Sequence, residues 1–187
     1  MMYVKGHLLM MMMSFIKENY GGQGLNNWIQ SLSPQAAEIY CGDINKNDWY
    51  PLKIALIAPA EKASTMFYKD DLRGAIEFGR YVARKENKKK FLLFPVRPSP
   101  TTKINRVCAM LQSYFDTAEV VMENMNGAGA TVQVKNFSEI DGIAEIIIAG
   151  WLQQSLTEED GRIAAIEIYV PSDSTVCVNY IVKWKAD

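Results

Sequence analysis

Hydrophobic positions recur with a helical period through the first part of the chain and with a two-residue period over much of the last third. From Tyr3 to Tyr20 the line Leu8, Met12, Ile16, Tyr20 is spaced by four and widened by Leu9 and Met13, which predicts a largely buried helix. Gly21, Gly22, Gln23 and Gly24 are expected to end it, and a short second helix to carry Leu25, Trp28, Ile29 and Leu32. Ser33 and Pro34 read as N-cap and first residue of a third helical segment reaching Tyr40. The apolar stretch from Asp48 to Phe67 is assigned helix despite Pro51 and Pro59. Next comes a helix capped by Asp70 or Asp71, with Leu72, Ala75, Ile76, Gly79, Val82 and Ala83 in one stripe and Arg73, Glu77, Arg80 and Arg84 opposite. Gly79 inside that stripe predicts close backbone approach by a neighbour, because glycine otherwise costs a helix about 1 kcal/mol relative to alanine.

Phe91 to Phe94 is a short apolar run, after which Pro95, Pro98 and Pro100 impose an extended crossing ahead of a helix from about Thr102 to Phe115. There the period changes. Val120 and Met122, then Val132 and Val134, alternate with their neighbours around a turn at Asn126 to Gly129, which predicts a hairpin. A long helix is expected to open at Ser138, with Asp141 completing a variant capping box, and to bury Ile140, Ile143, Ala144, Ile147 and Trp151. The acidic turn Glu158, Glu159, Asp160, Gly161 leads to a second hairpin: Ile166, Ile168 and Val170, a turn from Pro171 to Ser174, then Val176, Val178, Tyr180, Val182 and Trp184. The expected fold class is α+β, a helical N-terminal half packed on a C-terminal antiparallel sheet of ββαββ layout. No linker composition interrupts the chain, so residues 1–187 are read as one domain.

Composition narrows the function classes. The 187 residues are 49% hydrophobic and 22% charged, which is ordinary for a globular protein. Twenty basic against twenty-one acidic residues leave a net charge of -1, so no overall field draws the chain to nucleic acid or to an anionic bilayer. Cys41, Cys108 and Cys177 are odd in number and scattered, without a C-x-x-C pair, which fits a reduced cytoplasm. The apolar run after Lys5 has the order of a signal peptide, but Ser14 interrupts it, Lys17 and Glu18 end it, and no small-residue cleavage site follows before Gly21. It also falls short of the roughly 20 apolar residues that span a bilayer, so no transmembrane segment is expected.

Few residues carry candidate chemistry. His7 is the sole histidine, beside Leu8 and Leu9, and no nucleophile-elbow sequence accompanies it, so neither a catalytic triad nor a four-ligand zinc site is expected. Gly21 to Gly24 follows a helix and lacks a Gly-Lys-Ser/Thr ending, and Gly127 to Ala130 runs into a strand, so both are read as turns. The acidic pairs Asp70 with Asp71 and Glu158 with Glu159 suit capping and loop roles better than acid-base catalysis. Between Arg80 and Arg106 nine basic residues face the single acid Glu86. Arg80, Arg84, Lys88, Lys89, Lys90 and Arg97 make a candidate anion or partner patch, unless they are simply a solvated helix end. Trp28, Trp49, Tyr50, Phe78 and Trp151 are candidates to line a ligand pocket, and aromatic core packing explains them equally well.

The layout, with Gly6 and the later Asn19, Tyr20, Gly21, and with Phe94, Pro95, Val96, Arg97, Pro98, Ser99, resembles the superfamily that joins H-NOX haem domains, 4-vinyl-reductase-type ligand-binding domains and TRAPP vesicle-tethering subunits. The resemblance covers nearly the whole chain and implies a pocket-bearing sensor or scaffold, commonly dimeric. Its departures are specific. H-NOX domains hold iron through a histidine ahead of the Pro-rich segment and the haem carboxylates through a Tyr-x-Ser-x-Arg motif. Here Asp70 to Pro95 contains no histidine, Tyr114 to Ala118 does not supply the motif, and the cysteine cluster of some 4-vinyl-reductase-type members is missing. The expectation is a non-enzymatic sensor or protein-interaction module without haem or other cofactor, a homodimer through one of its apolar helices or a binder of a signalling partner. The alternative is a binding protein for a small apolar or amphipathic molecule enclosed between the N-terminal helices and the sheet. An enzyme would need a convergent polar cluster that the sequence does not reveal.

Overall fold

A computed structural model describes residues 1–69, 71–91, 100–126, 129–138, 141–157, 165–171 and 176–183, without the side chains of 87–91, 100, 101, 103 and 124–126. Strand β1 (Tyr3–Lys5) leads into helix α1 (Gly6–Ser31), followed by α2 (Pro34–Cys41), β2 (Trp49–Pro51), a π-turn at Lys53–Ile57, α3 (Ala58–Tyr68), α4 (Arg73–Phe91) and α5 (Pro100–Gln112). Then come β3 (Glu119–Asn126), β4 (Gly129–Lys135), α6 (Ile143–Leu156), β5 (Ala165–Tyr169) and β6 (Cys177–Lys183). The last four strands form one antiparallel sheet in the order β3-β4-β6-β5, so the ββαββ layout is observed.

Local chemistry accounts for the differences from the sequence reading. Tyr3–Lys5 is a strand, not the start of the first helix. It pairs with β2, while Tyr114 and Tyr3 carbonyls accept the Lys5 and Asp116 amides on its other side. The glycine segment kinks α1 without ending it: Gly21 alone takes a left-handed φ of 75°, open to glycine at little cost, and the helix resumes. The Asp48 to Phe67 stretch is not one helix but β2, the π-turn and α3. Pro59 has no N–H to offer the Ala55 carbonyl, which accepts the Tyr40 hydroxyl at 2.8 Å instead. The Pro59 carbonyl in turn accepts the Trp28 indole N–H at 3.1 Å.

The fourth-helix stripe is wider than the spacing suggests. Leu72 is 48% exposed, whereas Phe78 and Tyr81 are buried, because α4 packs against α3 and α1 as well as α6. Asp71 caps it, its carboxylate accepting the Arg73 amide at 2.9 Å. Helix α6 starts at Ile143, later than the expected Ser138. Asp141 accepts the Ile143 amide at 3.1 Å, and Glu145 reaches back to the Gly142 amide at 2.8 Å. Asp70, Phe94, the prolines at 95 and 98, Ile140, the acidic turn from Glu158, the turn residues 127–128 and 172–174, and Trp184 lie outside the described residues.

Two glycines set the tightest joint. A Cβ on Gly79 of α4 would stand 2.0 Å from the Ile147 carbonyl oxygen, and one on Gly150 of α6 would stand 2.2 Å from the Ile76 carbonyl oxygen. The backbones of α4 and α6 thus touch where they cross, as Gly79 foreshadowed. Around the joint, Phe78, Val82, Ile147, Ile148, Trp151 and Leu152 are buried, and α6 in turn covers the core side of the sheet, where Val132, Val134, Val178 and Tyr180 are fully enclosed. Gly79→Ala is expected to destabilise the fold by roughly 1–3 kcal/mol, since backbone atoms cannot yield as a side chain can. Gly22→Ala, where an added Cβ meets nothing within 4 Å, is expected to be neutral or stabilising by up to about 1 kcal/mol. Denaturant midpoints of the two variants check the contrast.

Candidate functional site

Beside the α4–α6 joint lies the polar cluster that the sequence reading did not assemble. Glu86 on α4 is only 8% exposed. Its Oε1 accepts the Tyr114 hydroxyl, and its Oε2 accepts the Trp151 indole N–H at 3.3 Å. The His7 Nε2 stands 3.5 Å from the same Oε1. The rings close around it: His7 stacks on Tyr114 at 6.2 Å between centroids, and Tyr114 meets Trp151 edge-on at 6.1 Å.

Four separate segments deliver these side chains. The start of α1 is held by backbone bonds from Gly6 and His7 to the Asp48 and Lys46 carbonyls, which fixes where His7 emerges. Strand β1 is bonded to the segment after α5, which ties His7 to Tyr114. The glycine joint sets Glu86, seven residues after Gly79, level with Trp151, the neighbour of Gly150. A buried carboxylate is costly unless its lone pairs are occupied, and here both oxygens are used. The cluster therefore ties together the start of α1, α4, the segment after α5 and α6, with one hydrogen bond accepted by each Glu86 oxygen. His7, with its side chain 28% exposed, is its solvent-facing member.

The candidate pocket aromatics do not converge on one place. Trp28 is fully buried, with its ring edge-on to Tyr40 at 4.8 Å. Phe78 lies in the core near Phe15, and Trp151 belongs to the Glu86 cluster. Trp49 is 42% exposed with the Lys5 ammonium 3.8 Å above its ring, and the neighbouring Tyr50 hydroxyl accepts the Asn45 amide at 3.1 Å. A separate shallow notch of about 200 Å³ lies among Ser31, Leu32, Ser33, Ala36, Pro59 and Lys62.

In the basic run, Arg80 bonds Gln153 of α6 at 2.5 Å and pairs with Glu77, and Arg84 reaches Gln154 at 3.4 Å. Both extend the α4–α6 joint outward. The side chains of Lys88, Lys89 and Lys90, and Arg97 altogether, lie outside what is described.

A second buried polar pair sits under α6. Glu145 is 3% exposed, and neither its Oε1 nor the fully buried Tyr180 hydroxyl has a hydrogen-bond partner among the described residues. Burial raises both pKa values, and the Glu145 charge raises that of Tyr180 further, so the two lie within electrostatic reach. The Cys108 thiol is pushed up to about 11 by burial, which keeps it protonated and inert. Among the described residues no group of three or more His, Cys, Asp or Glu could hold a metal, and no helix is long and apolar enough to cross a membrane.

No family model and no curated protein matches the chain. Solved structures do. An Fe(II) unliganded H-NOX protein from K. algicida aligns over 98% of this chain and 97% of its own, with a TM-score of 0.69 at 11% identity. An Fe(II)-state H-NOX mutant from S. oneidensis aligns over 98% and 97%, with a TM-score of 0.64 at 10% identity. The IWP-051-bound H-NOX from Shewanella woodyi aligns over 95% and 93%, with a TM-score of 0.63 at 13% identity. The chain has the H-NOX fold over nearly its whole length, as the sequence resemblance implied.

Glu86→Leu strands the Tyr114 hydroxyl and the Trp151 indole, and is expected to cost about 2–4 kcal/mol, more than Tyr114→Phe alone. Urea unfolding of the two variants measures the difference. Glu145 has a folded pKa raised above its ordinary 4.5, so its contribution to stability is complete below that value and is lost as pH rises through the folded pKa. Glu145→Gln, which retains an acceptor for the Gly142 amide, should gain on the native chain as pH rises from about 4 to about 8. A stability difference that stays constant over that span would contradict this.

Proposed function

We propose that this chain is a sensor or protein-interaction module built on the H-NOX fold, working without family-type haem, without catalysis of its own, and as a homodimer in a reducing cytoplasm. The observation that carries the reading is the engagement of His7. Haem iron needs an axial side chain, most simply a histidine. The sole histidine of this chain stacks on Tyr114 and faces the Glu86 carboxylate, and none lies between Asp70 and Pro95. Glu86 and Glu145 also put two carboxylates in the interior, a poor setting for the acidic edge of a haem. The residues present do not fit the group.

The non-catalytic part of the reading rests on the Glu86 cluster, in which each carboxylate oxygen already accepts a hydrogen bond from a buried side chain. Of the basic run proposed to meet an anionic partner, Arg80 and Arg84 are bonded to α6. A second reading, a binder of a small apolar or amphipathic molecule, is favoured by one observation. Glu145 Oε1 and the Tyr180 hydroxyl are buried without hydrogen-bond partners among the described residues, and the polar end of a bound molecule would pair with them.

Titration of the purified chain with haemin tests the first reading. No stoichiometric Soret band is expected, and Soret absorbance that saturates at one haem per chain and vanishes in His7→Ala would overturn it. Native mass spectrometry of freshly purified protein addresses the second, where a retained small-molecule adduct lost in Tyr180→Phe would favour ligand binding over a filled core.

A further inference from the structure

We infer that the exposed edge of β5 is the homodimer interface, where two copies pair their β5 strands antiparallel about a two-fold axis at Ile168. The inference rests on the reading of the chain as a dimeric module and locates its contact. The two edges of the sheet are treated differently. The β3 edge is interrupted by a register shift between Glu123 and Asn126, carries Glu119 and Glu123, and has its Val120 amide bonded to the Gln112 side chain at 3.3 Å. These are devices that keep an edge from pairing with another chain. Strand β5 has no register shift and no side-chain-bonded edge amide among the described residues, and its nearest proline, Pro171, lies beyond Val170 at the end of the proposed pairing. It pairs with β6 in unbroken register, contains no lysine or proline, and its single charge, Glu167, is taken by Lys183 of its own chain at 2.6 Å. The strand leaves Ile168 40% and Tyr169 54% exposed, and Val170 just beyond it 41%. Of the apolar helices, α4 and α6 turn their apolar faces toward one another and the sheet.

The occupant follows from self-complementarity. Ile166 and Ile168 stand opposite Val182 and Tyr180, so they lie on the core side of the sheet, and Glu167 and Tyr169 lie on the other. Antiparallel pairing about a two-fold axis normal to the sheet keeps each face on its own side. Centred on Ile168, it sets Ile168 against its own copy, Ile166 against Val170, and Glu167 beside Tyr169. The apolar row of the core side then runs on across the axis, and the two Glu167 carboxylates are kept from facing each other. Centred on Glu167, the same strands would oppose like charges, which is unfavourable. An eight-stranded continuous sheet results, with α6 of both copies on one side.

Sedimentation equilibrium of the full chain is expected to give twice the 21.1 kDa monomer mass. Ile168→Lys, which brings two ammonium groups together at the axis, should weaken the dimer on the order of a hundredfold. Glu119→Lys on the opposite edge should leave it unchanged, and circular dichroism establishes that both variants fold. A dimer indifferent to Ile168→Lys would overturn the β5 interface while sparing the dimeric reading. A chain that stays monomeric at high micromolar concentration would overturn both.

Discussion

Backbone contact between α4 and α6 at Gly79 and Gly150 is the constraint on which the remaining structure depends. Without a side chain on either glycine the helices approach until carbonyl oxygens stand against α-carbons, and the neighbouring residues acquire their partners. Two turns beyond Gly79, Glu86 comes level with Trp151. On the outer side Arg80 and Arg84 meet Gln153 and Gln154. The joint thus carries a dry interior arm and a wet exterior arm, and α6 transmits its position to the sheet through Ile147, Ile148 and Leu152.

Seen from this joint, the buried Glu86 is a clamp. A carboxylate in the interior is tolerated when donors occupy its oxygens, and removing one partner leaves the others stranded. The Tyr114 hydroxyl and the Trp151 indole donate to Glu86 and His7 stands 3.5 Å away, so this one carboxylate links α4 to the segment after α5, to α6 and to the start of α1. His7, the partly exposed member, places the cluster within reach of solvent at the start of α1.

Much of this architecture was legible in the sequence. The alternation of Val132 and Val134, and of Val178, Tyr180 and Val182, gave both hairpins, and glycine in an apolar helix stripe announced the tight joint. The H-NOX resemblance, carried by short motifs and by element order, held over nearly the full chain in the structural comparison. What escaped was non-local. Nothing in the spacing of His7, Glu86, Tyr114 and Trp151, spread over most of the chain, signals that they meet. The one available hint was Glu86 itself, a lone acid in a basic run, far from the capping end of its helix at Asp71. The π-turn and β1 were missed for a related reason: their hydrogen bonds go to Tyr40, β2 and the segment at 114–116, which no local window contains.

In this H-NOX fold the side chains of His7, Tyr114 and Trp151 close around the buried Glu86 carboxylate. A crystal structure of the full chain as purified tests it most directly. The account predicts Tyr114 and Trp151 both within hydrogen-bonding distance of the Glu86 carboxylate, with His7 stacked against Tyr114. A bound group wedged between these side chains, or His7 turned away to coordinate iron, would contradict it.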